Sequence, residues 1–73
     1  MTVACKVYGE LKFFNDTQEA KNYFLEGINM SEGSEQDRYV KIYEQLCSGH
    51  RYCSDEDLSE VTLRNMARML FEE

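Results

Sequence analysis

Apolar and polar positions alternate from Val3 to Tyr8, with Val3, Cys5 and Val7 on one side and Ala4, Lys6 and Tyr8 on the other. A period of two is that of a half-buried strand. Gly9-Glu10 reads as a tight connection, and Leu11-Lys12-Phe13-Phe14 resumes as a second short strand, so the pattern predicts an N-terminal β-hairpin. Cys5 falls on the inward face with Val3 and Val7, a placement consistent with core packing and equally with a ligand aimed at a buried ion.

Beyond Asn15 the period lengthens. Asp16 and Glu19, three residues apart, form a capping box. A helix over 17–29 follows, in which Ala20, Phe24 and Ile28 recur every four residues beside Tyr23. Gly27 weakens it near its end, and residues 30–34 read as a loop. Ser34, with Asp37 at the third helical position, caps a second helix over 35–47. Its stripe is Tyr39, Ile42, Tyr43 and Leu46, flanked by Val40 and Cys47. Gly49 stands where a left-handed C-terminal cap is expected. Ser54-Asp55-Glu56-Asp57 puts a hydroxyl and three carboxylates at the start of a third helix, over 55–72, with an interruption near Ser59. Leu58, Val61, Met66, Met69 and Leu70 form its apolar face, Glu60 and Arg64 an i,i+4 pair, and Arg64 with Arg68 a small basic edge. Strand, strand, helix, helix, helix predicts one α+β domain over residues 1–73, a two-stranded hairpin packed on three helices. No linker, repeat or low-complexity segment divides it.

A chain of 73 residues is close to the lower limit for one self-sufficient core. Small scaffolds of this kind often add a metal, disulfides or a partner subunit. With 42% hydrophobic residues the chain has material for a thin core, which argues against disorder. No apolar run approaches the roughly 18 residues of a membrane span. The N-terminus has no basic region followed by a long apolar stretch, so neither a membrane nor a secretion route is expected. Three cysteines do not make a disulfide framework, which points to a reducing, cytoplasmic setting.

Fourteen acidic residues against eight basic ones give a net charge of −6, the wrong sign for direct nucleic-acid binding. A negative surface suits a protein partner with a basic surface, such as a nucleic-acid-binding groove. Solubility alone also accounts for the charge.

Candidate chemistry gathers in Cys47-Ser48-Gly49-His50-Arg51-Tyr52-Cys53, two thiols and the only imidazole at successive spacings of three. A structural zinc ion takes four such ligands in a closed tetrahedron. Cys47, His50 and Cys53 supply three, and Cys5 is the remaining cysteine, so a zinc staple of Cys5, Cys47, His50 and Cys53 is one expectation. The other is an ordinary helix-ending turn with a core Cys47, a solvent-facing His50 and a free Cys53. Asp55, Glu56 or a second chain completing the coordination is a third. An enzyme is not expected: no oxyanion loop, orienting acid, phosphate loop or dinucleotide motif accompanies the Cys/His turn. Among the tyrosines, Tyr52 is expected to be the most exposed, within a turn.

The stretch Ser31-Glu32-Gly33-Ser34-Glu35-Gln36-Asp37-Arg38-Tyr39, followed by residues 47–55, resembles small acidic proteins carried by phages and conjugative elements of Firmicutes. Size, charge and the Cys/His turn are similar to those of a type II anti-CRISPR, a short inhibitor of an RNA-guided DNA nuclease, with bound zinc. The resemblance implies an inhibitor in the bacterial cytoplasm that covers a basic surface of the nuclease and blocks nucleic-acid loading. On this reading the candidate contact residues are Glu32, Glu35, Asp37, Asp55, Glu56 and Asp57. The alternative is a non-enzymatic accessory or regulatory protein of a mobile element, homodimeric through the third helix with its Met66 and Met69. Monomer and homodimer both stay open.

Overall fold

A computed structural model describes residues 2–71. In chain order it contains β1 (Val3–Val7), β2 (Glu10–Phe14), α1 (Thr17–Met30), α2 (Ser34–Cys47), β3 (Tyr52–Ser54) and α3 (Glu60–Phe71). The α+β class and the hairpin stand. The sheet, however, has three strands in the order β2-β1-β3, where the sequence pattern gives two. β1 pairs antiparallel with β2, Val3 opposite Phe14 and Val7 opposite Glu10. It pairs in parallel with β3, Cys5 opposite Cys53.

The alternation along β1 decides what each face of the sheet covers. Val3, Cys5 and Val7 join Phe14 and Cys53 in a buried cluster with Ala20 and Phe24 of α1 and Ile42 and Leu46 of α2. Ala4 and Tyr52 face the other way, onto Leu63 of α3, with Leu58, Met66, Ala67 and Phe71 packed around them. The sheet is therefore a middle layer between α1/α2 and α3. Tyr52 is 3% exposed, the reverse of the sequence expectation, because it occupies a strand rather than a turn. Phe24 is the aromatic hub, with Phe14, Tyr23 and Tyr39 all within 6 Å of its ring centre.

Local signals account for most boundaries. Asp16 caps α1, its Oδ1 accepting from the Glu19 N–H at 2.8 Å. α2 opens differently from the expected Ser34 cap: Ser34 is already helical and Gly33, at φ 69°, holds the capping position without a side-chain bond. At its other end the Gly49 N–H donates to the Leu46 carbonyl and the His50 N–H to the Gln45 carbonyl, both at 3.1 Å, with Gly49 at φ 90°. That double closure is a Schellman cap. It turns the chain back along β1.

The third helix needs correction. It begins at Glu60 and not at Asp55, because Ser54 is drawn into the sheet and Asp55 turns inward. The working cap is Ser59, whose Oγ accepts from the Thr62 N–H at 3.2 Å. The expected end of that helix at Glu72 lies outside the described residues. Among them, no helix is long and apolar enough to cross a membrane.

Candidate functional site

The residues singled out for metal chemistry separate into a pair and two outliers. Cys5 and Cys53 are neighbours across the parallel ladder, fully buried, with their side chains in contact. The Cys53 thiol also lies 3.8 Å from the His50 carbonyl oxygen. Hydrogen bonding to Cys5 and burial, in that order, push the Cys53 thiol far above the ordinary range and keep it neutral. Cys47 is exposed at the last turn of α2, and His50 is half-buried in the turn beyond it. Among the described residues, no three His, Cys, Asp or Glu side chains gather into a group that could hold a metal ion. As arranged, the four expected ligands do not form the closed tetrahedral site. The pair packs within the buried apolar cluster between the sheet and α1/α2.

The six acidic candidates fall on and beside the N-terminal half of α2. Glu32, Glu35, Asp37, Glu56 and Asp57 are exposed. Asp55 is different. Its carboxylate is 3% exposed, and its Oδ2 accepts from Arg38 Nη1 at 2.9 Å and from the Tyr8 N–H at 3.1 Å. Its own N–H donates to the Lys6 carbonyl at 3.2 Å. Asp55 thus ties the hairpin turn to α2. It fixes the acidic side from within rather than presenting charge on it.

The tie explains an unusual backbone. Tyr8 and Gly9 link the strands in a two-residue turn with φ of 53° and 75°. Such turns want Asn or Gly at the first position, and a bulky residue there is strained. Tyr8 is kept by the Asp55 bond, by the Arg38 guanidinium 5.0 Å above its ring and by an edge contact with Tyr39 at 6.4 Å. Glu35 stands beside its hydroxyl.

A second ion pair, Lys41 Nζ to Asp57 Oδ1 at 3.0 Å, holds the 55–57 segment against α2. Arg38 and Lys41 are the only cationic residues of α2, and both turn to this segment. The exposed acids around them stand without an ion pair among the described residues: Glu32, Glu35, Asp37 and Glu56. Sequence reasoning found these acids but not the arginine and lysine that gather them. The signal was there in the i,i+3 spacing of Arg38 and Lys41, which puts both on one helix face.

No protein-family model, no curated protein and no solved structure matches this chain.

Proposed function

We propose that the chain is a non-enzymatic binding module whose acidic side, the N-terminal half of α2 with residues 56 and 57, docks on a basic protein surface. The observation that carries this reading is the double ion pair Arg38–Asp55 and Lys41–Asp57. It spends the cations of α2 internally and leaves Glu32, Glu35, Asp37 and Glu56 facing outward with unneutralised charge. A basic groove built for nucleic acid complements such a side, and occupying it excludes the nucleic acid by charge and by bulk. An RNA-guided nuclease, the target implied by the resemblance of residues 31–39 and 47–55, is the first partner to test.

The test is a DNA-cleavage assay in which the chain meets a type II nuclease before or after guide RNA. Inhibition should be stronger with the guide-free enzyme, should weaken from low to moderate salt, and should be lost in a Glu35→Lys, Glu56→Lys double variant. Undiminished cleavage in both orders of addition, at large excess of the chain, would overturn the nuclease reading. Inhibition indifferent to salt and to the double variant would overturn the acidic side.

One observation favours a second reading. α3 covers the β3 side of its sheet face, while Leu11 and Phe13 on the edge strand β2 remain 40% and 58% exposed, and Met69 80%. An exposed edge bearing apolar side chains is a place for a second copy, as an accessory homodimer requires. Sedimentation of the wild type and of a Phe13→Lys, Met69→Lys variant separates the readings: a dimer that the variant abolishes supports the accessory protein.

A further inference from the structure

Cys5 and Cys53 stand far apart in the chain and meet as direct neighbours across the parallel ladder of β1 and β3. Adjacent strands run about 4.8 Å apart, which puts facing Cα atoms inside the span of about 4.4 to 6.8 Å that a disulfide bridges. Both side chains leave the sheet on the side of α1 and α2, and the two thiols share a hydrogen bond. The register of one short strand thus brings two distant sulfurs within bonding reach without rearranging the backbone.

The third cysteine is a poor competitor. Cys47 is exposed on the last turn of α2, whereas Cys53 is fully buried in the cluster between the sheet and the helices. A bond from Cys47 to Cys53 requires Cys53 to leave that cluster, and the pairing of β3 with β1 goes with it.

We propose that Cys5 and Cys53 form a disulfide when the chain folds in the presence of a low-molecular-weight disulfide such as oxidised glutathione. The thiolate of one cysteine attacks a sulfur of the small disulfide. The old S–S bond breaks, one small thiolate leaves, and a mixed disulfide remains on the protein. The second cysteine, brought opposite by the pairing of β3, loses its proton to solvent and attacks the protein-side sulfur. That step releases the second small thiolate. Two protein thiols are oxidised to one S–S bond, the small disulfide is reduced, and its two thiolates take up the two protons. Both cysteines are fully buried once β3 has docked. Exchange therefore belongs to folding or to local opening of β3, and the same burial shields the finished bond from reductant. Closing so long a loop narrows the unfolded ensemble, so the bond fastens the last strand to the first. In a reducing setting the pair stays a dithiol packed in the core. The proposal is independent of the acidic side and stands whether or not that side docks on a protein.

The experiment refolds the wild type and a Cys47→Ser variant from urea, in reduced glutathione alone and in a mixture rich in oxidised glutathione. Remaining thiols are blocked with iodoacetamide, and mass spectrometry reads the intact mass and the linked peptides. In the oxidised arm both proteins should carry a Cys5–Cys53 link and weigh two hydrogens less, any glutathione on Cys47 of the wild type aside. Their Tm should exceed that of the dithiol form by about 10 °C or more, with the far-ultraviolet circular dichroism unchanged. A Cys47→Ser chain that emerges as a dithiol or with two separate glutathiones overturns the proposal. So does a wild type linked through Cys47, or a Cys5–Cys53 bond that leaves Tm unchanged or lowers it.

Discussion

Gln45 grips the backbone of Ser54 with both ends of its side-chain amide. Its Oε1 accepts from the Ser54 N–H at 2.9 Å, and its Nε2 donates to the Ser54 carbonyl at 3.0 Å. Ser54 is fully buried at the end of β3, and among the described residues no further strand lies beyond to pair with it. One α2 side chain therefore supplies the donor and acceptor that a neighbouring strand would otherwise give.

Replacing Gln45 by Leu keeps the bulk and removes both partners. Two buried backbone groups left unpaired cost more than two ordinary hydrogen bonds gain. Gln45→Leu should destabilise the fold by about 2–4 kcal/mol, read from urea denaturation. A loss within the scatter of a surface substitution would mean that water or a shifted strand end satisfies Ser54.

Asp55 and Asp57 are neighbours in the chain and unequal in weight. Removing the Asp55 carboxylate strands the Tyr8 N–H and the Arg38 guanidinium, so Asp55→Ala should cost about 2–3 kcal/mol. Asp57 is 88% exposed, and its pairing with Lys41 is a surface one. Asp57→Ala should stay within about 0.5 kcal/mol. The two melting curves, run side by side, check the ranking, and equal losses would count against the inward tie.

The thiols should divide by accessibility. Iodoacetamide should label Cys47 quickly in the native protein and leave Cys5 and Cys53 unlabelled until urea opens the core, as mass spectrometry of timed samples will resolve. Early labelling of all three would contradict the burial of the pair.

Stability should fall on the alkaline side. The Cys53 thiol is raised by Cys5 and by burial, and the Tyr52 hydroxyl by burial and then by Glu56 and Asp55. A thiol ordinarily titrates near 9.0 and a tyrosine near 10.0. Below those values folded and unfolded chains hold the same protons, and the stabilisation is complete. Above them the unfolded chain releases protons that the folded one retains, so the equilibrium moves toward unfolding. Tm should hold to about pH 8 and drop beyond about pH 9. Cys53→Ala, though less stable throughout, should show a shallower drop. Parallel curves for the two proteins would exclude Cys53 as the cause.

Chelation distinguishes a fold held by its apolar cluster from one held by zinc. The Cys5–Cys53 pair fills a continuous apolar cluster, and the other two expected ligands are not gathered to it. Far-ultraviolet circular dichroism and Tm should therefore be unchanged by dialysis against EDTA. One zinc per chain by elemental analysis, with a large loss of Tm on chelation, would establish the zinc staple.

Much of this architecture was legible because its signals are local. The alternation Val3 to Val7, the Asp16–Glu19 cap and Gly49 after α2 each act within a few residues, and each is where the sequence puts it. β3 was not legible. Tyr52-Cys53-Ser54 has too few residues to establish a period, and its partners are Ala4 to Lys6 and Gln45, distant in the chain. The same gap misleads at Asp55, whose residue type suits a helix start while its partners, Tyr8 and Arg38, are tertiary. The acidic side was readable as composition, whereas its assembly by Arg38 and Lys41 is a product of the fold.

The parallel pairing of β1 with β3 also sets an order of events during synthesis. One edge of β1 is met early by β2, but its other edge waits for residues 52–54, some fifty positions later. The hairpin and the α1/α2 pair rely on nearer contacts and can assemble first. A nascent chain emerging from the ribosome thus carries a half-finished sheet until its last third is out, and that interval is when a chaperone would find the bare edge of β1.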